Sequence, residues 1–87
     1  MSNVRRHQIM TFKHLFSFKT TVGTFYVSRS TDGRYHPVFA EESLGSYHSP
    51  EAAADDLAGG HTFSASGVKD TSTLGISFDL VEWNKLT

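Results

Sequence analysis

Histidine offers the most chemistry in this chain of 87 residues, which contains five of them. His36, His48 and His61 stand close in sequence to carboxylates, and imidazole and carboxylate groups are ordinary zinc ligands. However, no His-x-His or His-Glu-x-x-His motif occurs, and no two histidines lie four apart on a predicted helix. We therefore predict solvated or capping histidines and no metal site.

Serine, histidine and acidic residues could build a hydrolytic triad, but they stand in no catalytic motif here. The carboxylate pair Asp55-Asp56 falls on a predicted helix, where neighbouring side chains point roughly 100° apart. Gly59-Gly60-His61-Thr62 follows that helix, so it is typical of a C-cap and not of a phosphate loop. We predict no enzymatic activity, no catalytic residue and no cofactor.

Charge is unevenly placed in a chain whose net charge is −1. Residues 1–34 carry six basic residues against one acidic residue, a balance of +5, and residues 35–87 carry two against eight, a balance of −6. Such asymmetry predicts a basic arm and an acidic body. The candidate interaction surface is the acidic set Glu41, Glu42, Glu51, Asp55 and Asp56, which we expect to face a basic partner, such as the arm of a second copy.

Composition narrows the remaining functions. The absence of cysteine excludes disulfides, thiol nucleophiles and cysteine-based metal sites, and it fits a cytoplasmic protein. No apolar run approaches the roughly 20 residues of a membrane span, so no membrane association is predicted. We expect residues 1–19 to be a basic, partly disordered arm or an extra strand, and residues 20–87 to form one domain. Met10 is an alternative start of translation.

The stretch from Thr11 to Thr20 favours an N-terminal strand. Phe12, His14, Phe16 and Phe18 alternate with other residues in a period of two, with one violation at Leu15. Two alternatives stay open: a helix that aligns Ile9, Phe12 and Phe16, and a disordered arm that docks on a partner.

The stretch from Thr24 to Gly60 is the organising part of the chain. We predict a strand over Thr20–Ser30, with Phe25 and Val27 on one face, and a hairpin turn at Asp32-Gly33. Further predicted elements are a strand over Arg34–Ala40, a turn at Glu41–Ser43, a third strand over Leu44–Tyr47 and a short fourth strand over His61–Phe63.

Two helices complete the prediction. Ser49 is the N-cap and Pro50 the first residue of a helix that ends at Gly59-Gly60. A short C-terminal helix between Ser77 and Leu86 should place Trp83 on one end of the sheet. The resulting fold class is α+β: a small antiparallel sheet of three to four strands, one helix packed on one face and a short C-terminal helix.

Four motifs carry a resemblance: DGRYHPVF (32–39), LGSY (44–47), SPEAAADDLAGGHTFS (49–64) and LGISFDLVEW (74–83). Over residues 25–86 the chain resembles a small family of uncharacterised bacterial proteins, a resemblance that implies no site residues. Gly45 and the stretch from Ser49 to Ala53 are also similar to the β-hairpin–β–α modules of HicB-type antitoxins, a pattern shared by many small sheets.

The function that these observations favour is non-catalytic: an interaction or regulatory module of the bacterial cytoplasm that binds another protein or associates with itself. An open sheet edge in so small a domain favours pairing with another chain. The alternative is a nucleic-acid-associated protein or antitoxin-like regulator. It would use the basic residues Arg5, Arg6, Lys13, Lys19, Arg29 and Arg34, with Phe25, Tyr26, Tyr35 and Phe39 as stacking candidates.

Overall fold

A computed structural model of the chain describes residues 11–63, 68 and 70–86. Its elements are strands β1 (Phe12–Thr20), β2 (Gly23–Ser30), β3 (Tyr35–Phe39), β4 (Glu42–Ser43) and β5 (Asn84–Lys85), helix α1 (Pro50–Gly59), and two 3-10 turns at Thr71–Thr73 and Leu80–Glu82. Residues 1–10 of the predicted arm lie outside the described residues.

The strands form one antiparallel sheet in the order β4-β3-β2-β1-β5. The α+β fold class is confirmed, and the sheet is larger than the three to four strands predicted. The fifth strand is added at the β1 edge by the C-terminus. His61–Phe63 is not a strand; instead the Phe63 N–H donates to the Leu44 carbonyl at 2.9 Å. That carbonyl is left available because its neighbour across the strands, Pro37, has no N–H to donate.

The hydrophobic core lies between α1 and one face of the sheet, here called the inner face. Phe25 and Val27 of β2 are fully buried there, as predicted. From α1 the core receives Ala53, Ala54 and Leu57, whose small or compact side chains let the helix approach the strands closely. The rest of the buried cluster is Leu44, Ile76 and Trp83.

Strand β1 carries a β-bulge at Leu15. His14 pairs with Ser28 and Phe16 pairs with Val27, so Leu15 has no pairing partner on β2. The predicted period of two, with its violation at Leu15, marks this bulge. The prediction that all four alternating aromatic residues share a face is wrong, because an extra residue inverts the side-chain alternation. Phe16 therefore packs against the core, whereas His14 lies on the opposite, outer face with Ser28.

Helix α1 begins and ends where the sequence predicts. The Ser49 side chain accepts from the Ala52 N–H at 3.1 Å, and Pro50 is the first helical residue. Gly60 lies in the left-handed region at φ 79° and closes the helix. The Leu57 carbonyl, which accepts from the Gly60 N–H at 3.2 Å, also accepts a 2.6 Å hydrogen bond from the buried Thr71 hydroxyl, which ties the later loop to the helix end.

The C-terminal helix is shorter than predicted. Only Leu80–Glu82 is helical, as a single 3-10 turn, and Trp83 is already extended at ψ 157°. The chain then pairs with β1 as β5, and the Leu86 N–H donates to the carbonyl of Leu15 at the bulge. An open strand edge offers hydrogen bonds that a short isolated helix cannot match, because helices this short are marginal in water.

The second turn is displaced by one residue from its prediction. The turn residues are Ala40 and Glu41, and Glu42–Ser43 forms β4 instead of belonging to the turn. Both turn residues have positive φ, 52° and 65°, so this is a two-residue hairpin built without glycine. The predicted strand over Leu44–Tyr47 reduces to one bridge between Tyr47 and Tyr35.

Candidate functional site

His36 is the centre of a hydrogen-bonded polar cluster on the outer face. Its Nε2 lies 2.9 Å from the Ser30 hydroxyl, and its Nδ1 lies 2.7 Å from the Gly45 carbonyl and 2.9 Å from the Ser43 hydroxyl. His36 and Ser30 are each about 4% exposed. The Ser30 hydroxyl in turn donates to Asp32 in the β2–β3 turn. The cluster thus joins that turn to the segment after β4.

Donor and acceptor counting fixes the direction of these bonds. The Gly45 carbonyl only accepts, so His36 Nδ1 carries a proton. Ser30 has one hydroxyl proton, which it gives to Asp32, and its oxygen also lies 2.9 Å from His36 Nε2. The hydrogen bond from Ser30 lowers the pKa of Asp32, helped by the Arg34 N–H and by the charge of His36.

This order of groups differs from that of a hydrolytic triad. In a triad the acid orients the histidine, and the serine is open to substrate. Here Asp32 contacts the serine, and Ser30 is buried. Ser30, Asp32 and His36 therefore hold together the β2–β3 turn and the segment after β4.

His14 and His48 make contacts outside the His36 cluster. His14 stacks on Tyr26 at a centroid distance of 4.0 Å and hydrogen-bonds Ser28 at 2.5 Å. His48 Nδ1 lies 3.4 Å from an Arg34 guanidinium nitrogen. Within residues 11–63, 68 and 70–86, no three His, Cys, Asp or Glu side chains converge into a group that could hold a metal ion.

The predicted acidic surface is distributed over two elements. Glu41 and Glu42 are exposed at the hairpin beyond Phe39, the C-terminal end of β3. Glu51 and Asp55 are exposed and one helical turn apart on α1, so their charges repel each other.

The helix start lies at the opposite end of β3. Tyr47, two residues before the N-cap, bridges to Tyr35, the first residue of that strand. Asp56, the fifth predicted residue, is half-buried and turns toward the Tyr47 hydroxyl. Burial and the neighbouring Asp56 carboxylate raise the pKa of Tyr47 to about 12.

A pair of exposed apolar side chains near the C-terminus was not predicted as a site. Phe78 is 69% exposed and Val81 is 88% exposed; Phe78 precedes the Asp79 cap of the second 3-10 turn, and Val81 lies within that turn. We call this pair the apolar knob. Its neighbours Asp79 and Glu82 are also exposed, so the knob has an acidic rim.

Hydrogen bonds hold the segment that carries the apolar knob. Asp79 caps the 3-10 turn by accepting from the Val81 N–H at 3.0 Å, and the Ser77 hydroxyl accepts from the Asp79 N–H at 3.0 Å. The indole N–H of Trp83 donates to the Ser77 carbonyl at 2.8 Å. Trp83 itself is 5% exposed and packs 5.3 Å from Phe18, so the segment is anchored in the core.

Comparison with known proteins identifies no relatives: no family model matches the chain, and neither a curated protein nor a solved structure matches it. The two resemblances described from the motifs therefore stay predictions. Among the described residues, no helix is both long and apolar enough to cross a membrane.

The sequence pattern does not single out the apolar knob. It predicts a helix in which Leu80 and Trp83, three residues apart, cover one end of the sheet, and it gives Val81 no role. In the structure Trp83 is buried and Val81, within the 3-10 turn, is exposed.

Proposed function

We propose that this chain is a protein-binding module whose contact point is the apolar knob formed by Phe78 and Val81. The observation that carries the proposal is their exposure, 69% and 88%, on a turn that is fixed by capping hydrogen bonds. Contiguous exposed apolar groups rimmed by polar residues are typical of protein interaction sites. A preorganised turn adds affinity because little conformational freedom is lost on binding.

The acidic rim indicates the chemistry of the partner. Two knobs packed against each other would bring Asp79 and Glu82 of both copies together, and like charges at an interface oppose binding. A partner with an apolar cleft flanked by lysine or arginine avoids this repulsion. The proposed partner is therefore another protein with a basic-rimmed apolar cleft, and the interaction is non-catalytic.

Site-specific photo-crosslinking in the native cell tests this proposal. A photoreactive phenylalanine analogue at Val81 should give a covalent product with one protein, and the same analogue at Val22 should not. Val22 is the matched control because it is also an exposed valine, 45% exposed, in the turn between β1 and β2. With the captured protein purified, Val81→Ser and Phe78→Ser should each weaken binding by roughly tenfold or more, which is the effect of a hot-spot residue.

Three results would overturn the proposal. Equal crosslinking from Val81 and Val22 would remove the knob as the contact point. Crosslinks between two copies of this chain would establish self-association in place of a separate partner. A captured protein whose affinity is unchanged by Phe78→Ser would show that the crosslink reports proximity only.

Nucleic-acid association, the alternative predicted from the sequence, gains no continuous basic track from the described residues. Lys13 and Arg29 are paired at one end of the sheet, whereas Lys19 lies near the other end of β1. Arg34 is engaged with the Ser46 hydroxyl at 2.9 Å and with the Ser46 carbonyl at 3.2 Å. The alternative therefore stays a prediction.

A further inference from the structure

A second surface feature lies at the end of the sheet where β1 begins and β2 ends. It is a cleft of about 190 Å³ lined by Thr11, Lys13, Arg29, Ser30 and Thr31. Two basic residues and three hydroxyl-bearing residues line it, and none of its lining residues is acidic. We propose that this cleft binds a small phosphate ligand, either inorganic phosphate or the phosphate group of a small phosphomonoester.

The strand register brings the two cations together. Lys13 pairs directly with Arg29 across β1 and β2, which places their Cβ atoms about 4.5–5.5 Å apart. Like charges directly opposite each other on a sheet are destabilising. An anion held between them turns this repulsion into two attractive contacts.

No carboxylate of the chain neutralises this pair from within the cleft. All nine Asp and Glu residues lie in the described part of the chain, and none of them lines the cleft. The adjacent acid, Asp32, is occupied by the Ser30 hydroxyl and the Arg34 N–H. The cleft therefore presents positive charge to solvent.

The Arg29 side chain is positioned by contacts on the β3 side of β2. Its guanidinium carbon lies 6.0 Å from the centroid of the Tyr35 ring, a cation–π arrangement. Its Nη2 lies close to the backbone of Gly33, where an added Cβ would stand 3.6 Å away. A planar guanidinium can bond two phosphate oxygens at once, and the Lys13 ammonium adds a point charge.

The size of the cleft favours a small ligand. Sites for drug-sized molecules and cofactors typically measure about 300–1,000 Å³, well above the 190 Å³ found here. A phosphate group, with little beyond it, matches this volume. A nucleic acid would need further cations along its backbone, and within the described part of the chain Lys19 and Arg34 do not extend the cleft.

Titration of the full chain with inorganic phosphate, and separately with phenyl phosphate, tests the proposal. Binding is followed by calorimetry and by amide chemical shifts, against sodium chloride at matched ionic strength. Two charge-assisted contacts lead us to expect a Kd in roughly the millimolar range, with shifts at residues 11–13 and 29–31. Lys13→Gln and Arg29→Gln should each weaken binding at least tenfold, and Lys19→Gln, which removes the same charge elsewhere on β1, should not.

The same titrations contain the results that overturn the proposal. An absence of phosphate-specific shifts at roughly ten times the expected Kd would remove the site. An equal loss in Lys19→Gln would mean non-specific attraction to a basic surface. A single-stranded oligonucleotide that binds more tightly than phosphate, with a salt slope steeper than the roughly −1.4 expected for two phosphate contacts, would identify a nucleic-acid site instead.

The unliganded melting temperature provides a control on folding. Because Arg29 faces the like charge of Lys13 on one side and lies over the Tyr35 ring on the other, Arg29→Gln should change the melting temperature in chloride only slightly. Its lost response to phosphate then reports the site and not unfolding. The cleft and the apolar knob use different residues, so either proposal can fail while the other stands.

Discussion

The hairpin between β3 and β4 should become more stable when its two turn residues are replaced. Ala40 and Glu41 have φ of 52° and 65°, a region that costs a non-glycine residue about 1–2 kcal/mol. Two-residue turns with positive φ at both positions prefer Asn-Gly, because Asn tolerates this region and Gly has no Cβ. The test variant is therefore the double substitution Ala40→Asn with Glu41→Gly.

The expected gain follows from the strain relieved minus the entropy that glycine adds to the unfolded chain. Glycine costs roughly 0.5–1 kcal/mol of that entropy, which offsets part of its benefit. We expect the double variant to raise the free energy of unfolding by about 1.5 kcal/mol. For a domain of this size, that corresponds to an increase in melting temperature of about 6–12 °C.

Urea unfolding followed by tryptophan fluorescence measures this change. Trp83 is the only tryptophan of the chain and is 5% exposed, so its emission reports loss of the core. The control is Glu42→Gln, which removes a neighbouring charge at an exposed position of β4 and should change stability by less than about 0.5 kcal/mol. A double variant no more stable than the wild type would refute the strain argument, and an equal gain in Glu42→Gln would assign the effect to charge.

Three further predictions concern groups in and around the core. Trp83→Phe should lower the free energy of unfolding by about 2 kcal/mol, measured by circular dichroism, because it removes the bond to Ser77 and leaves a cavity; a loss below about 0.5 kcal/mol would contradict this. His36→Leu should cost about 1–3 kcal/mol in urea unfolding because the Gly45 carbonyl and the buried Ser30 hydroxyl each lose a hydrogen-bond partner, whereas an unchanged midpoint would show that the cluster is dispensable. The pKa of Tyr47 is raised to about 12 in the fold from 10.0, so its contribution to stability is complete below pH 10 and is lost as pH rises toward 12. Unfolding measured between pH 9 and 12 should show a steeper decline in the wild type than in Tyr47→Phe, and parallel curves would refute this assignment.

The parts of the fold that could be predicted from the sequence are those with local causes. Ser49, Pro50 and Gly60 act within one or two turns of backbone, so their side chains alone define the helix ends. The Asp32-Gly33 turn and the strands beside it are local in the same sense. Such signals do not depend on the remainder of the chain.

The parts that could not be predicted depend on partners distant in sequence. Residues 84–85 become a strand because the edge of β1, nearly 70 residues earlier, is open to pair with them. Val81 is exposed in the 3-10 turn that precedes this strand. The acidic surface was predicted from charge along the sequence, which carries no information on the separation between Glu41 at one end of β3 and Glu51 at the other.

The bulge at Leu15 also affects how this chain should be compared with others. Before it, residues of β1 with even numbers lie on the outer face; after it, even numbers lie on the inner face. An ungapped alignment with a protein whose strand is regular would therefore match core positions to surface positions over half the strand. A distant relative without the bulge should align with a one-residue gap at position 15. Aligned without that gap, it would place an apolar residue opposite either His14 or Ser17.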